Sequence, residues 1–158
     1  MNTQRPTKVG IISDTHGLLR PEAEEALDGC DHILHAGDVG DREVLEKLQL
    51  IAPVTAVRGN MDCGSWSNTL PVTEMVEFGK VFFYMLHDLY HLDLDPTAAG
   101  IHVVVSGHTH RPELIQKDGV FFLNPGSAGH RRHSYPISVA IVHIENGKVV
   151  PRIIEISC

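Results

Sequence analysis

The stretch KVGIISDTHG, residues 8–17, passes directly from an apolar segment into a polar cluster. KVGIIS (8–13) is short and rich in β-branched residues, and Ser13 and Asp14 end it, which is typical of a buried strand. The cluster SDTHG (13–17) therefore lies where this strand ends. Further strands that end in the same way would bring their polar side chains to one edge of a sheet.

Alternating strands and helices follow this stretch. The segment 21–29 predicts a helix because Pro lies near its start and Gly at its end. The segment 41–53 predicts a second helix, which Asp41 can cap and which carries an apolar stripe. Strands are predicted within 32–38 and 54–60. Because this alternation is typical of βαβ units, we expect a parallel sheet.

The second half of the chain changes to hairpins. Segments 72–87, 113–127 and 137–156 each contain two strand-like runs separated by a turn. A further buried strand is predicted within 100–110. No linker or repeat interrupts the chain, so we predict a single α/β domain spanning residues 1–158. The turns are predicted at Gly79-Lys80, Asp118-Gly119 and Asn146-Gly147.

The composition excludes several classes of function. The net charge is -7 with His counted as neutral, so a general nucleic-acid footprint is absent, although a local basic patch is not excluded. The longest apolar run, VFFYML, is too short to cross a membrane, and residues 1–8 lack the apolar segment of a signal peptide. The three cysteines form no CxxC pattern, which favours a reducing compartment. We therefore expect a cytoplasmic protein.

Five polar clusters each follow an apolar run. Taken singly, each has an ordinary structural interpretation, because Asp and Asn shape turns and His can contact backbone or solvent. Taken together, they supply seven candidate metal ligands of the types Asp, Asn and His. The clusters are SDTHG (13–17), HAGDVG (35–40), RGNMD (58–62), LHD (86–88) and SGHTH (106–110).

The carboxylates in these clusters indicate bound cations. Unpaired carboxylates that meet in a cleft are costly unless a cation neutralises them. Seven ligands exceed the need of one ion, and one carboxylate can bridge two ions about 3.5–4 Å apart. A ligand set without Cys favours borderline-to-hard ions. We predict two divalent metal ions, with Mn²⁺ favoured and Ni²⁺, Fe²⁺ or Zn²⁺ as alternatives.

The order of these motifs resembles that of the calcineurin-like metallophosphoesterases. The compact length, NPGS (124–127) and the terminal hairpin resemble the small bacterial and archaeal phosphodiesterase branch, which includes a retromer subunit that kept the fold as a scaffold. The resemblance implies a four-layer-type sandwich of two mixed β-sheets flanked by helices. The motifs are Asp14-x-His16, Gly37-Asp38, Gly59-Asn60, His87 and Gly107-His108-Thr109-His110.

The same resemblance implies the ligands of both ions. Three residues are implied to bind the first ion, three others to bind the second, and one carboxylate to bridge the two ions. It also implies catalytic roles for Asp38, Asn60 and His108. The implied ligands are Asp14, His16 and His110 for the first ion, Asn60, His87 and His108 for the second, and Asp38 as the bridge.

The implied mechanism is attack on the phosphate ester by a hydroxide that bridges the metals. Many members of the family carry a His directly after the motif Asn, where it resembles a general acid, but this chain has Met61. A thioether cannot donate a proton, and general acid catalysis contributes roughly 10²–10⁴-fold. We therefore expect a bias toward good leaving groups, or a water or another residue in that role. Asp62 is one candidate, and a turn-stabilising carboxylate is the alternative.

Two arginines are predicted to bind the substrate phosphate. Arg131 belongs to the basic loop GHRRHSYP (129–136), which either contacts phosphate or is simply solvated. Arg58 either contacts phosphate or pairs with an acidic neighbour. Asp88 follows His87 and is expected to orient its ring, with a solvent-facing carboxylate as the alternative.

The resemblance favours a phosphodiesterase that acts on a small phosphate ester, including nucleotide-derived esters. A phosphomonoesterase on the same site is the first alternative. A non-catalytic scaffold is the second, although such proteins tend to lose ligands and every expected ligand is present in this chain. The formation of homo-oligomers is left open.

Overall fold

A computed structural model describes residues 6–132 and 134–157. His133, which the sequence placed in the basic loop, lies outside the described residues, as do residues 1–5 and Cys158. The described chain contains ten strands and two α-helices. The strands are β1 Thr7–Ile12, β2 His32–His35, β3 Val54–Ala56, β4 Thr73–Phe78, β5 Val81–Leu86, β6 Val103–Val105, β7 Glu113–Lys117, β8 Val120–Asn124, β9 Ile137–Glu145 and β10 Lys148–Ile156, and the helices are α1 Pro21–Leu27 and α2 Arg42–Gln49.

The first sheet has the strand order β10-β9-β1-β2-β3. The strands β1, β2 and β3 run parallel, and α1 and α2 connect them as the predicted βαβ units. The hairpin of β9 and β10 adds to the other side of β1 in antiparallel orientation. The sheet is therefore mixed, and the carboxyl ends of its three parallel strands lie at the same edge.

The second sheet has the strand order β4-β5-β6-β8-β7. Its central strands β5, β6 and β8 run parallel, while β4 and β7 pair antiparallel at the two edges. Each antiparallel edge strand belongs to one of the predicted hairpins. The predicted sandwich of two mixed sheets is confirmed.

Apolar side chains fill the space between the sheets and the outer face of the first sheet. Ile11 and Leu34 meet Phe83 and Met85 in the central layer, where all four side chains are buried. On the outer face, Leu27 of α1 belongs to a second buried cluster. Alternate residues of a strand point to opposite faces, which explains how β1 and β2 supply both clusters.

The two faces of the sandwich are covered differently. Both α-helices pack on the first sheet, whereas the outer face of the second sheet is covered by the segment 89–101. This segment contains a short 3₁₀ helix, Leu89–His91, and its Leu92 and Leu94 pack near Tyr84. Among the described residues, the α-helices are thus confined to one side of the sandwich.

The elements are shorter than the sequence patterns suggested. The strand predicted within 32–38 ends at His35, and the strand predicted within 54–60 ends at Ala56. The residues that follow leave the sheet, which releases their side chains to form the polar edge. The helix predicted over 41–53 spans Arg42–Gln49, and Asp41 caps it by accepting a hydrogen bond from Glu43 N at 3.0 Å.

Candidate metal centre

All seven predicted ligands lie on loops that follow strands of the two sheets. Loops after β1, β2 and β3 carry the ligands of the first sheet, and loops after β5 and β6 carry those of the second. The floor of the site is buried at Asp14, Asp38, His87 and His110, whereas His108 is exposed at the rim. The sandwich brings polar loops from both sheets to one edge.

One group consists of Asp14, His16 and His110. Each of the three offers a ligand atom, and these atoms lie within 4.8 Å of one another. His110 Nε2 lies 3.5 Å from Asp14 Oδ1, and it lies 3.3 Å from His16 Nε2. The spacing lets one cation contact all three side chains. This is the set that the sequence assigned to the first ion.

A second group consists of Asp38, His87 and His108, whose ligand atoms also lie within 4.8 Å of one another. His87 Nε2 lies 3.2 Å from Asp38 Oδ2. Asn60 joins this group at the rim, since its Oδ1 lies 3.2 Å from His108 Nδ1. The group contains the residues assigned to the second ion together with the predicted bridge.

Asp38 lies between the two groups. Its Oδ2 is 3.7 Å from His16 Nε2 of the first group and 3.2 Å from His87 Nε2 of the second. Its Oδ1 accepts a hydrogen bond of 2.8 Å from Met61 N, which orients the carboxylate. A carboxylate in this position can serve ions on both sides.

The backbone at the centre is held in an uncommon conformation. Seven described residues other than Gly have positive φ, and five of them are predicted ligands. Such residues cluster at functional sites because the surrounding structure must compensate for the cost. The remaining two, Asp118 and Asn146, lie in hairpin turns, where positive φ is ordinary. The five are Asp14 (56°), His16 (47°), Asp38 (54°), His108 (75°) and His110 (65°).

Buried polar atoms at the centre have no hydrogen-bond partner. Among the described residues these atoms are Asp14 Oδ1, His87 Nε2 and His110 Nδ1. His87 Nδ1 donates a hydrogen bond of 2.8 Å to Ala36 O, which leaves the lone pair of a neutral ring on Nε2. Since buried polar atoms without partners are costly, the donor set fits a cation that Asp14 Oδ1 and His87 Nε2 would bind.

The environment shifts the pKa values of Asp14 and Asp38 in opposite directions. Burial raises the pKa of Asp14 against the opposing effects of His87 and the Ser13 hydroxyl. Burial also acts to raise the pKa of Asp38, but contacts with His87 and Met61 N outweigh it, so this pKa is lowered. Asp38 is therefore the more readily ionised of the two, which suits a bridging role.

The pKa values of His110 and His87 are shifted in opposite directions. Burial lowers the pKa of His110 to about 4, and the positive charge of Arg132 adds to this effect. Burial also acts to lower the pKa of His87, but the carboxylates of Asp38 and Asp14 reverse this and raise it. A neutral His110 keeps a nitrogen lone pair available for a cation.

A buried histidine to which the sequence assigned no role supports the ligand loops. His35 is completely buried, and burial lowers its pKa to about 3. Its Nε2 lies 3.0 Å from Thr15 Oγ1, and its Nδ1 accepts a hydrogen bond of 3.1 Å from Gly37 N. Thr15 Oγ1 in turn donates to Val39 O at 2.8 Å. The neutral ring therefore links the loop after β1 to the loop after β2. Its position at the end of a strand in HAGD was a signal for this role.

Asp62 takes the structural role that was the alternative in the sequence. Its carboxylate accepts hydrogen bonds from Gly59 N at 2.9 Å, Gly40 N at 2.9 Å and Val39 N at 3.3 Å. The contacts with Gly40 and Val39 join the loop after β3 to the loop after β2, and the contact with Gly59 closes the loop after β3 on itself. The carboxylate is committed to the backbone, which favours a turn-stabilising role over proton donation.

The predicted phosphate-binding arginines lie in different places. Arg58 borders a cleft of about 460 Å³ together with Asn60 and His87. Arg132 lines the small cavity over the ligands, whereas Arg131 is not among the residues that line it. Gly129 packs directly on the backbone of Thr15, and Ser127 Oγ donates to His130 O at 3.0 Å. These contacts place the basic loop beside the ligand loop after β1.

Asp88 does not take the position expected from its neighbour in sequence. Its Oδ2 lies 3.8 Å from His108 Nε2, while the ring of His87 is oriented by Ala36 O. Its Oδ1 accepts a hydrogen bond of 3.1 Å from Tyr90 N and caps the 3₁₀ helix Leu89–His91. Adjacent residues at the end of a strand point to opposite sides, which accounts for the separation.

A sequence profile identifies the family. The profile of the Calcineurin-like phosphoesterase superfamily domain matches residues 7–147, which include every predicted ligand. The chain belongs to this superfamily. The resemblance stated from the ordered motifs is thereby confirmed.

Two relatives in this superfamily match most of the chain. A probable metallophosphoesterase of Methanothermobacter thermautotrophicus is 34% identical over an alignment of 159 positions, which covers 93% of this chain and 91% of the relative. Phosphodiesterase YfcE of Escherichia coli is 31% identical over an alignment of 160 positions, which covers 85% of this chain and 86% of the relative.

A solved structure also shares the fold. The structure of vacuolar protein sorting 29 from Cryptosporidium parvum superimposes with a TM-score of 0.76 at 22% identity. The match covers 98% of this chain and 100% of that protein. At this identity the likeness shows a shared fold and no more. Separately, no helix in the described part of the chain is long and apolar enough to cross a bilayer.

Proposed function

We propose that this calcineurin-like phosphoesterase is a dimetal-dependent phosphodiesterase. The observation that carries the proposal is the pair of adjacent ligand groups, which leave buried polar atoms without hydrogen-bond partners. Asp14, His16 and His110 would hold one ion, and Asp38, Asn60, His87 and His108 the other. Two such ions, when bound, lower the pKa of water toward neutrality and offset the charge that develops on phosphate oxygens.

The protein orients the ligands through contacts with neighbouring loops. Asp14 Oδ2 accepts hydrogen bonds of 2.8 Å from Ser13 Oγ and 3.1 Å from His108 N, so Oδ1 is left facing the centre. The hydrogen bond from His87 Nδ1 to Ala36 O orients the ring of His87, so that its Nε2 faces the centre. Ligands that are oriented before binding lose little entropy when they bind.

The leaving group must receive its proton from elsewhere than the residue after the motif Asn. Met61 lines the cavity over the ligands with its side chain 62% exposed, and its thioether has no proton to give. The exposed rim admits solvent, so water is the donor that the arrangement favours. Esters with good leaving groups should therefore react fastest.

A diester suits the cavity better than a monoester. The cavity wall supplies one arginine, Arg132, beside the ligands, and a diester carries a single negative charge whereas a monoester carries nearly two. The relative named phosphodiesterase YfcE supports the same choice. We further propose that the substrate is a small phosphate ester in the cytoplasm and that Mn²⁺ is the preferred ion.

Metal analysis combined with a substrate pair tests the proposal. The protein is stripped with a chelator, reloaded with Mn²⁺ and compared on bis(p-nitrophenyl) phosphate and p-nitrophenyl phosphate. We expect about two ions per chain and a higher kcat/KM for the diester. A higher kcat/KM for the monoester would assign the chain to the phosphomonoesterases instead.

The fold shared with vacuolar protein sorting 29 makes a scaffold the second candidate. A scaffold needs no intact ligand set, whereas all seven predicted ligands lie at one edge of this sandwich. Reloaded protein that binds no divalent ion and hydrolyses neither ester would support the scaffold.

A further inference from the structure

A cleft of about 460 Å³ borders the second ligand group and extends away from it toward Val72 and Asp93. It shares Asn60 and His87 with the second group, so a phosphate bound there would have the cleft at its side. The volume falls within the range of pockets that enclose small organic molecules. The cleft is thus placed to receive one substituent of a phosphate ester.

The walls of the cleft define what it would accept. Val72, which is 57% exposed, supplies most of the apolar surface, and the buried side chains of Tyr84 and Leu86 border it. The charged side chains around it are Arg58 on one hand and Asp88 and Asp93 on the other. Two carboxylates beside one guanidinium disfavour a second phosphate and offer acceptors for hydrogen-bond donors.

We propose that this cleft binds a neutral, ring-bearing substituent of a phosphodiester, such as an aryl or nucleoside group. The inference rests on the proposed phosphodiesterase function and names its substrate class. The apolar wall contacts the ring, and the carboxylates of Asp88 and Asp93 accept hydrogen bonds from its donors. An ester with two small alkyl groups leaves the wall uncovered and binds more weakly.

Binding of esters that stay intact, as ³¹P spectra verify during the titration, tests the cleft separately from the reaction. Protein loaded with Zn²⁺, which is diamagnetic, is titrated with dimethyl phosphate, methyl phenyl phosphate and thymidine 5′-methyl phosphate while backbone amide shifts are recorded. We expect both ring-bearing esters to bind about tenfold or more tightly than dimethyl phosphate. The shifts should concentrate at Thr73 and Asp88. Tighter binding of the thymidine ester than of the phenyl ester would identify a nucleoside as the preferred ring.

Two matched variants locate the effect. Val72→Asn places a polar group in the cleft without adding charge, and it should remove the preference for ring-bearing esters. Val150→Asn is the control, because Val150 is 47% exposed on β10 and pairs with His143, at the sheet end opposite to the ligands. It should keep the preference.

The outcomes separate the two proposals. Equal affinity for all three esters, or a preference that survives Val72→Asn, overturns the cleft assignment even if the protein hydrolyses diesters. Ring-dependent binding without hydrolysis of any diester overturns the proposed function and leaves the cleft as a binding site.

Discussion

The carboxylate of Asp62 accepts a hydrogen bond of 2.9 Å from the backbone N–H of Gly40, which ties the loop after β3 to the loop after β2. The loop after β2 carries Asp38, and the loop after β3 carries Asn60. Two further backbone groups, Gly59 N and Val39 N, donate to the same carboxylate. Asp62 thus holds together the two loops that carry ligands of the second ion.

Asp62→Asn should destabilise the protein. The variant keeps one acceptor oxygen but turns an amide NH₂ toward backbone donors, so we expect a loss of about 1–3 kcal/mol in the free energy of unfolding. Urea denaturation of the metal-free protein measures it. Asp118→Asn, in an exposed hairpin turn, is the control and should have little effect. Unchanged stability in Asp62→Asn would show that the carboxylate does not clamp the two loops.

Asp38→Asn should abolish metal-dependent hydrolysis. Asn tolerates the positive φ of 54° at this position, so the backbone is kept while the negative charge is lost. Outer contacts to metal ligands are worth 10–100-fold, so losing the bridge itself should lower kcat by more than about 100-fold. Mass spectrometry of bound metal should show less than the wild-type content. Wild-type metal content with normal turnover would contradict the bridging assignment, and Asp118→Asn again serves as the control.

Met61→His should raise the rate for esters with poor leaving groups. The side chain is exposed over the ligands, so an imidazole there could protonate the departing oxygen. The gain can reach roughly 10²–10⁴-fold for the poorest leaving groups and should vanish for p-nitrophenolate. A series of aryl diesters measures the dependence. Met61→Leu is the control that changes neither charge nor proton donation, and parallel dependence in all three proteins would show that protonation does not limit the rate.

Substitutions of two glycines should have different effects: Gly10→Ala should lower stability, and Gly59→Ala should lower metal content. A Cβ at Gly10 would lie 2.6 Å from Leu27 Cδ2, so Gly10→Ala should cost roughly 1–3 kcal/mol of stability through overpacking against α1. A Cβ at Gly59 would overlap the backbone N and Oδ1 of Asp38. Gly59→Ala should therefore lower metal content. Calorimetric unfolding and metal analysis of both variants check the contrast, which fails if Gly10→Ala loses metal and Gly59→Ala retains it.

Cys30 and Cys63 should differ in reactivity. Burial raises the pKa of the Cys30 thiol to about 11, so the thiol stays protonated at pH 8, whereas Cys63 is exposed. Since the thiolate is the reactive form, iodoacetamide at pH 8 should label Cys63 and spare Cys30. Peptide mapping before and after unfolding in urea tests this. Rapid labelling of Cys30 in the native protein would show that α1 opens readily from the sheet.

Sequence patterns predicted the strands well because their signal is local. The β-branched run at the start of β1 and the turn at Asn146-Gly147 depend on neighbouring residues, and both were found where expected. The strands predicted within 32–38 and 54–60 are shorter than those segments, since they end at His35 and Ala56. The sequence alone does not distinguish polar residues that leave a sheet to form a site from polar residues that continue the strand.

The sequence also predicted the types of the ligands, but it did not predict which side chains lie beside them. The carboxylates and imidazoles after successive strands indicated cations, yet the sequence could not place Arg132 rather than Arg131 on the cavity wall. It placed Asp88 beside His87, whereas the carboxylate lies near His108. Such choices depend on the direction of each side chain, which neighbours in space decide.

The sequence by itself determined the alternating strands, the five polar strand ends and the family to which these motifs belong. Only the tertiary structure decided which loops meet, because the two sheets must pack face to face before ligands from both can share an edge. The same packing turned Asp62 into a clamp for three backbone groups and opened the cleft beside Arg58. Local propensity acts over a few residues, whereas a site is assembled by contacts between residues far apart in the chain.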